Sequence, residues 1–296
     1  MSHHHGSLYV VATPIGNLKD ITLRALDVLG GADAIVSENV RKTRNLLDHF
    51  GIRTRVSSYR EENAGRMGEV ILDLLSKGKS VALVAEAGTP GVSDPGRRLV
   101  DSVWKRGFPI VPVPGASAAI AGVSVSGMEE ARFVFEGFLP RRGSKRRQRL
   151  QELSEDSRQL VFFEAPHRLR ECLADIKEIL GDRQCVIARE ITKLHEDIAK
   201  GSVSSFMAKF TATKPLGEFV IVCEGAVEAG AGRRSCAGVS FEEAVNEALA
   251  LVRSGTKKTE AAKIVEKKYG KQGGEIYRAL AGVLPQRPQD GKGEPR

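Results

Sequence analysis

The sequence has little of what membrane, disulfide-rich or zinc-binding proteins require. It contains only four cysteines, Cys172, Cys185, Cys223 and Cys236, and no two of them form a CxxC pair. Neither a zinc site nor a disulfide framework is therefore expected, and a reduced, cytoplasmic protein is the simplest interpretation. No apolar run approaches the roughly 20 residues that a membrane-spanning helix needs, and no signal peptide is visible.

Several common catalytic motifs are also absent. No GxxxxGK[ST] loop occurs and no GxGxxG follows the first expected strand, which argues against triphosphate hydrolysis and dinucleotide chemistry. There is no nucleophile elbow and no HExxH motif. The first seven residues, MSHHHGS, are interpreted as a purification-tag remnant, so the remaining histidines are His49, His167 and His195. They form no ligand cluster, and no metal is expected.

Positive charge is in excess and unevenly distributed. The chain has 45 Lys and Arg against 37 Asp and Glu, a formal net charge of +8. One stretch, PRRGSKRRQR, holds six cations and no acidic residue: Arg141, Arg142, Lys145, Arg146, Arg147 and Arg149. Such a cluster favours contact with the phosphates of a nucleic acid, although a solvated loop and helix start is the alternative.

Strand-like and helix-like segments alternate from Leu8 to Gly225. Nearly continuous apolar segments such as SVALVA at 80–85 are typical of buried strands, and apolar residues at i, i+3 and i+4 spacing after Met67 indicate a helix that Gly78 ends. This alternation predicts an α/β fold with a parallel or mixed sheet covered on both faces.

A break in the pattern near Phe138 divides the alternating region, and a Gly/Ala-rich stretch follows it before a Lys-rich helical segment. We therefore expect two α/β domains with a cleft between them, followed by a small helical module. The expected organisation is a tag remnant at 1–7, an N-terminal α/β domain at 8–120, a C-terminal α/β domain at 121–225, a linker at 226–239, a helical module at 240–284 and a disordered tail at 285–296.

Four loops rich in Gly and Pro directly follow expected strands, at 13–17, 87–96, 112–118 and 163–168. In open α/β sheets ligands bind beyond the carboxyl ends of the strands, and glycine there permits a close approach of the backbone. A single loop of this kind usually makes only a tight turn. Several after successive strands predict a ligand-binding cleft.

At these loops the sequence resembles the tetrapyrrole-methylase superfamily, and within it the ribosomal RNA small-subunit methyltransferase I family of cytidine 2′-O-methyltransferases. The resemblance spans nearly all of residues 8–225, in the family's order. The matching segments are LYVVATPIGNLKDIT (8–22), VALVAEAGTPGVSDPG (81–96), VPVPGASA (111–118), FEGFLPRRGSKR (135–146), FFEAPHRL (162–169), AREITKLHE (188–196) and GEFVIVCEG (217–225).

The resemblance implies a two-domain tetrapyrrole-methylase-like fold with S-adenosyl-L-methionine in the cleft between the domains, plus a small C-terminal helical module. It implies a homodimer that methylates a cytidine ribose in the decoding region of 16S rRNA in the small ribosomal subunit. The residues implied to bind the cofactor are Pro14, Gly88, Thr89, Val92, Ser93, Ser117, Ala118, Phe163, Glu164, Gly217 and Glu218.

RNA is expected to approach over the loop from Thr13 to Asp20 and along the basic stretch. The residues expected to contact it are Asn17, Lys19, Arg41, Arg141, Arg142, Lys145, Arg146, Arg147, His167, Arg168 and Lys193. Lysines of the C-terminal helices are a weaker candidate, because their spacing also fits an ordinary polar helix face.

Three segments depart from the family pattern while the cofactor loops are intact. The family has Glu-Asp-Thr-Arg where this chain has Glu38-Asn39-Val40-Arg41, and Ser-Asp where it has Ala85-Glu86. A Ser-Tyr-His segment of the family is Ser58-Tyr59-Arg60 here.

A ribose hydroxyl is a poor nucleophile at neutral pH, so a general base is a natural component of the site. The candidates are Glu38, Asp94, Glu190 and Glu196. For Asp94 the alternative role is to stabilise a tight turn, and for Glu38 it is to form an ion pair with Arg41. The sequence does not select among them, and positioning alone is the further alternative.

Two other functions stay open at this point. One keeps the fold but acts on a precorrin-type tetrapyrrole, although the loop at 13–17 lacks the Gly-rich form typical of those enzymes and the basic stretch then has no role. The other is a non-catalytic RNA-binding protein of ribosome assembly that retains a cofactor-shaped cleft.

Overall fold

The computed structural model describes residues 6–94, 96–226, 241–269 and 273–283. The chain divides into two compact units, Met1–Ala226 and Val227–Arg296. The first unit contains two five-stranded sheets, and the described part of the second consists of three helices. The linker expected from 227 onward and the tail at 285–296 lie outside the described residues.

The first sheet is entirely parallel, with the strand order β3-β2-β4-β1-β5. Its strands are β1 (Leu8–Val11), β2 (Ala34–Ser37), β3 (Val56–Ser58), β4 (Val81–Val84) and β5 (Ile110–Val113). All four residues of β4 are buried, because helices cover both faces of this central strand. Because β1 and β4 are parallel neighbours in this sheet, their carboxyl ends lie side by side.

Five helices follow these strands: α1 (Leu23–Gly31), α2 (Val40–His49), α3 (Ala64–Ser76), α4 (Gly96–Lys105) and α5 (Ala118–Ser124). Capping side chains determine where two of them begin. The Thr22 hydroxyl accepts a hydrogen bond from the N–H of Ala25 at 3.1 Å, and the Asn39 side chain accepts one from the N–H of Lys42 at 3.2 Å. Asn39, where the family has an acid, therefore caps α2.

The second sheet is mixed, with the order β6-β7-β10-β8-β9. Its strands are β6 (Phe133–Phe138), β7 (Gln159–Glu164), β8 (Gln184–Arg189), β9 (Asp197–Ser202) and β10 (Phe219–Cys223). The neighbours β6 and β7 pair in parallel, whereas β10 runs antiparallel to both β7 and β8. The start of β10 consequently lies beside the ends of β7 and β8, with Phe219 opposite Glu164 and Arg189.

The helices of the second half are α6 (Gly143–Glu152), α7 (Leu169–Leu180) and α8 (Val203–Ala212). Leu150, Leu169 and Phe206 pack from these helices against one face of the sheet. On the other face, Ala119 of α5 packs with Val220, so the last helix before residue 125 belongs to this core rather than to that of the first sheet. A Cβ at Gly122 of α5 would lie 2.8 Å from Val220 Cγ1, which explains a small residue there.

Gly6 and Ser7, included in the stretch interpreted as a tag remnant, are hydrogen-bonded to the backbone of α3 and β4. The N–H of Gly6 donates to the carbonyl of Leu75 at 2.9 Å, and the carbonyl of Ser7 accepts from the N–H of Val81 at 3.0 Å. A Cβ at Gly6 would lie 1.8 Å from the Lys79 carbonyl oxygen, so this position accommodates only glycine as folded.

The second unit contains α9 (Phe241–Arg253), α10 (Lys258–Tyr269) and α11 (Gly273–Val283). The sequence pattern predicts helices at about 241–253, 257–269 and 274–282, and the observed bounds agree with these within one residue. Ala248, Val265, Ile276 and Leu280 form the centre of its core. Among the residues that the structure describes, no helix is long and apolar enough to cross a membrane.

Candidate active-site cleft

A cleft of about 560 Å³ lies at the ends of strands from both sheets. The first sheet contributes the loops after β1, β4 and β5, and the second contributes the ends of β7 and β8 and the start of β10. This is where the strand topology brings the Gly/Pro-rich loops together. Its volume is within the range of about 300–1,000 Å³ that is typical of small-molecule sites.

Backbone hydrogen bonds join the loops of the first sheet. Thr13 and Gly88 exchange two of them, with N···O distances of 2.9 and 3.0 Å, and the Thr89 hydroxyl donates to the carbonyl of Ala116 at 3.3 Å. Gly88 has φ +75°, and a Cβ there would lie 3.3 Å from Ile15. The three loops therefore form one connected wall whose geometry requires glycine at this point.

All the expected cofactor residues except Gly217 line the cleft. Gly217 lies directly behind the wall with φ +87°, and a Cβ there would be 2.5 Å from Glu190 Cγ. This close approach allows the N–H of Glu218 to donate to Glu190 Oε1 at 2.9 Å. Gly217 thus shapes the wall without facing the cavity.

Two buried polar atoms in the wall have no hydrogen-bond partner in the described structure, Thr13 Oγ1 and Glu164 Oε2. The other oxygen of Glu164 accepts from the N–H of Ala165 at 2.9 Å. The Glu164 carboxylate is engaged within the wall, because its Oε1 also lies 3.4 Å from Arg168 Nε. Buried polar atoms are normally satisfied, so Thr13 Oγ1 is the atom suited to hydrogen-bonding a polar ligand. Together with the volume of the cleft and its partly apolar lining, this atom and the close approach at Gly88 fit a cofactor that has both adenosyl and amino-acid groups.

Asp94 lines the cleft, but its carboxylate accepts hydrogen bonds from the backbone of its own loop. The N–H of Gly91 donates to both oxygens at 2.9 Å, and the N–H of Gly96 donates to Oδ1 at 2.8 Å. These bonds hold the loop in which Ser93 adopts φ +68°. Of the two roles weighed from the sequence, the geometry supports turn stabilisation.

Glu38 also lines the cleft, and its carboxylate forms no hydrogen bond within the described residues. Burial, and then the negative charges of Asp94 and Glu86, raise the pKa of Glu38 above its ordinary value, while Arg60 opposes the shift. The alternative role weighed for Glu38, an ion pair with Arg41, is not observed among the described residues. A carboxylate with a raised pKa is a better proton acceptor than an ordinary one.

The two remaining base candidates are engaged elsewhere. Burial raises the pKa of Glu190, but hydrogen bonds from the Glu218 N–H and from Lys193 lower it overall. Glu196 is exposed, does not line the cleft, and accepts a hydrogen bond from the N–H of Thr192 at 2.6 Å. Neither carboxylate is available to a substrate in this arrangement.

The basic stretch divides into buried and exposed cations, and this corrects the expectation for Arg146. The side chain of Arg146 is 5% exposed, and its Nε donates to Asp175 Oδ2 at 2.6 Å. Arg147 donates to Glu178 at 2.7 Å and Arg149 to Glu136 at 2.7 Å. Because acids of neighbouring elements pair with these three arginines, they are not free to contact phosphates. The stretch's free cations are Arg141, Arg142 and Lys145, all exposed, within the described residues.

The other residues expected to contact RNA differ in accessibility. Lys19, Arg41 and His167 are exposed. The Asn17 side chain caps a short 3-10 turn by accepting from the N–H of Lys19 at 3.1 Å. In contrast, Arg168 donates to the carbonyl of Leu139 at 2.7 Å and therefore holds the backbone.

Lys193 lies in the cleft wall, where its ammonium donates to Glu190 at 3.0 Å and to Glu218 at 2.9 Å. Lys193 therefore forms ion pairs within the protein and is not a free cation for RNA. A Cβ at Gly16 would lie 2.3 Å from Lys193 Cγ, so the lysine side chain packs directly on the loop after β1.

Sequence reasoning missed two further features of the cleft. Lys42 forms an ion pair with Glu86, which also accepts from the Asn39 amide at 3.2 Å. Phe138, at the end of β6, lines the mouth. In the sequence Phe138 is marked only by Gly137 before it and by Pro140 two residues after it. No group of three or more His, Cys, Asp or Glu side chains suited to a metal is found in the described parts of the chain.

Comparison with known proteins agrees with this arrangement. Residues 7–206 match the family model of the Tetrapyrrole (Corrin/Porphyrin) Methylases. Ribosomal RNA small subunit methyltransferase I of Thermotoga maritima is 47% identical over 220 residues, which cover 74% of this chain and 99% of the relative. The Pasteurella multocida protein of the same name is 37% identical over 281 residues, covering 94% and 97%. The chain belongs to the tetrapyrrole methylase family, in the branch of the ribosomal RNA small subunit methyltransferases I.

Solved structures of the wider family have the same fold. A cobalt precorrin-4 methyltransferase superimposes with a TM-score of 0.56 at 17% identity, covering 75% of this chain and 95% of that one. Uroporphyrin-III C-methyltransferase from Thermus thermophilus, in complex with S-adenyl homocysteine, superimposes with a TM-score of 0.53 at 16% identity, covering 73% and 97%. The predicted fold class and family are confirmed.

Proposed function

We propose that this protein transfers the methyl group of S-adenosyl-L-methionine to the 2′-hydroxyl of a cytidine in the decoding region of 16S rRNA. The observation that carries this proposal is the shared cleft at the strand ends of both sheets, in a chain of this family. Its relatives in Thermotoga maritima and Pasteurella multocida are named as methyltransferases of small-subunit ribosomal RNA.

The cleft wall is proposed to hold the cofactor through loops of both sheets. The hydrogen-bonding groups are Thr13 Oγ1 and the backbone groups beside Gly88 and Ser117. The bound cofactor supplies an electrophilic methyl carbon on a sulfonium. The protein's part is to exclude water and to hold the ribose oxygen in line with that carbon, which is the main source of rate in a displacement of this kind.

Glu38 is proposed as the general base. Its carboxylate would accept the 2′-hydroxyl proton as the oxygen forms its bond to the methyl carbon. Two observations support this choice over Asp94, Glu190 and Glu196: Glu38 faces the cleft without a hydrogen-bond donor in the described structure, and its pKa is raised. A carboxylate of this kind contributes roughly 10²–10⁴-fold to a rate.

Exposed cations beside the cleft are proposed to bind the RNA backbone. Arg141, Arg142 and Lys145 follow β6, and Lys19 and Arg41 follow β1 and β2. Phosphate contacts position an RNA and make its affinity dependent on salt. We further propose that the protein acts as a homodimer on the small ribosomal subunit.

Methyl transfer from labelled S-adenosylmethionine to small ribosomal subunits tests the proposal, with subunits from a strain that lacks this modification as substrate. Mapping should place the label on the ribose of one cytidine. Label on a base, or none above background, would refute it. A precorrin-type tetrapyrrole in the same assay should remain unlabelled, and cofactor binding without transfer to either substrate would favour the non-catalytic alternative.

A further inference from the structure

Phe138 is an aromatic side chain at the mouth of the cleft, and one side of its ring is exposed to solvent. It is the last residue of β6, it lines the cleft, and 55% of its surface is exposed. Val92 and Leu18 line the same cleft and are 40% and 39% exposed. Burying such apolar surface is favourable by about 25 cal/mol per Å², so this rim favours an apolar or aromatic occupant.

The protein holds the Phe138 ring in place from behind. Its centroid lies 5.6 Å from that of Phe163 in an edge-to-face arrangement, and Phe163 packs in the same way on Phe135 at 5.0 Å. Edge-to-face pairs of this geometry restrict the ring beyond simple burial. The row of three rings extends from the wall of the cleft to its mouth, and it leaves the outermost ring accessible.

The backbone around Phe138 is shaped to present the ring. The pairing of β6 with β7 shifts register between Phe135 and Gly137, and Gly137 has φ +65°. A Cβ at Gly137 would lie 2.6 Å from Ser93 Oγ, so the strand runs directly against the loop after β4. After the ring, Arg168 fixes the carbonyls of Leu139 at 2.7 Å and Pro140 at 3.3 Å.

The free cations of the basic stretch begin three residues after this ring. Arg141, Arg142 and Lys145 are exposed, whereas the arginines that follow them are paired with acids. An exposed aromatic ring next to unpaired cations is the combination with which proteins bind unstacked nucleotides, the ring stacking on a base and the cations contacting phosphates.

We propose that Phe138 is the stacking platform for a single unpaired nucleobase of the small-subunit RNA, held at the mouth while its ribose enters the cleft. An enzyme that acts on a nucleotide within structured RNA has to take it out of the stack, and a stacking side chain offsets part of that cost. The inference rests on the proposed function and deepens it by assigning the base-binding residue.

A matched pair of substitutions tests the role of the ring. Phe138→Leu keeps an apolar side chain but removes the aromatic face, and Phe138→Tyr keeps that face. With small subunits as substrate, F138L should lower kcat/KM by about 5- to 150-fold, the range for loss of one base–aromatic stack. F138Y should stay near the wild-type value. The affinity for S-adenosylmethionine, measured by calorimetry, should be unchanged in both.

Three outcomes would overturn the proposal. If the wild-type enzyme methylates small subunits and F138L does so with the same kcat/KM, stacking is not needed. Equal losses in F138L and F138Y would indicate packing rather than stacking. A loss of S-adenosylmethionine affinity in F138L would place the ring at the cofactor instead.

A fluorescence experiment separates this inference from the proposed function. The chain has a single tryptophan, Trp104, so the double variant Trp104→Phe with Phe138→Trp carries its only tryptophan at the mouth. Stacking on a base should quench its emission when small subunits are added, and the wild-type Trp104 signal is the control. Quenching without methyl transfer would refute the function alone, whereas methyl transfer without quenching would refute the stacking role alone.

Discussion

The pairing of Arg146 with Asp175 leads to a prediction about stability that separates a structural from an RNA-binding role. The guanidinium and the carboxylate are 5% and 12% exposed and lie 2.6 Å apart. Asp175 also accepts from Arg147 at 3.1 Å. If the carboxylate is neutralised in Asp175→Asn, Arg146 keeps its charge in a place that water does not reach.

The expected cost of that substitution is large. Removing one partner of a buried ion pair destabilises a protein by about 3–5 kcal/mol, because the remaining charge is left uncompensated. For Arg146 the residual contact to Glu171 is long, at 3.5 Å, and its Nη1 has no partner. We therefore expect the upper part of this range rather than the lower.

Urea unfolding followed by circular dichroism measures the effect, with Glu178→Gln as the matched control. Glu178 pairs with the same helix but is 60% exposed, so its neutralisation should leave the midpoint nearly unchanged. The double variant Arg146→Met with Asp175→Leu should recover most of the stability lost in D175N, since apolar residues of similar size can replace a buried pair.

Similar small losses in D175N and E178Q would refute the reasoning, because they would mean that water reaches Arg146. The same result would restore Arg146 to the RNA-binding surface, where the sequence alone placed it.

Three further predictions concern activity and the cleft. Glu38→Gln should lower kcat by about 10²–10⁴-fold. In the wild type, kcat/KM should rise as the pH passes through the raised pKa of Glu38, because the base then loses its proton. This rise with pH should be absent in the variant. Replacing Arg141 and Arg142 by Glu should weaken binding of small subunits and reduce the slope of log K against log salt by about 0.7–0.9 for each lost phosphate contact, with S-adenosylmethionine affinity unchanged. Gly217→Ala should destabilise the protein and weaken cofactor binding, because its Cβ would lie 2.5 Å from Glu190 Cγ.

Controls for these variants come from the same chain. Gly181 has the same φ of +87° as Gly217 but nothing within 4 Å of a Cβ, so Gly181→Ala measures the backbone strain, about 1–3 kcal/mol, without the collision with Glu190. Equal effects of the two alanines on cofactor affinity would contradict the role given to Gly217. A pH profile unchanged in E38Q would exclude Glu38 as the base, and an unaltered salt slope would remove Arg141 and Arg142 from the RNA contacts.

Secondary structure followed from the sequence wherever burial and periodicity were strong. The apolar spacing after Met67 predicted α3, and the apolar segment at 80–85 predicted the buried strand β4. By contrast, β9 was missed, because its sequence, DIAKGS, has only the partial burial of an edge strand and little apolar character. The Gly/Pro-rich loops also predicted the cleft, since the ends of parallel strands meet at one edge of a sheet.

What the sequence determined by itself was therefore the alternation of elements, the helices of the C-terminal unit and the loops that form the cleft, because these depend on local patterns of polarity and on glycine. Tertiary structure alone decided the roles of similar side chains. Arg142 and Arg146 belong to one basic run, yet one is exposed and the other is paired with Asp175. Glu38, Asp94 and Glu196 were equivalent as carboxylates until the fold supplied donors to two of them and burial to the third. The type of a residue determines its charge and its hydrogen-bonding groups, but its partners come from segments that are far away in the chain.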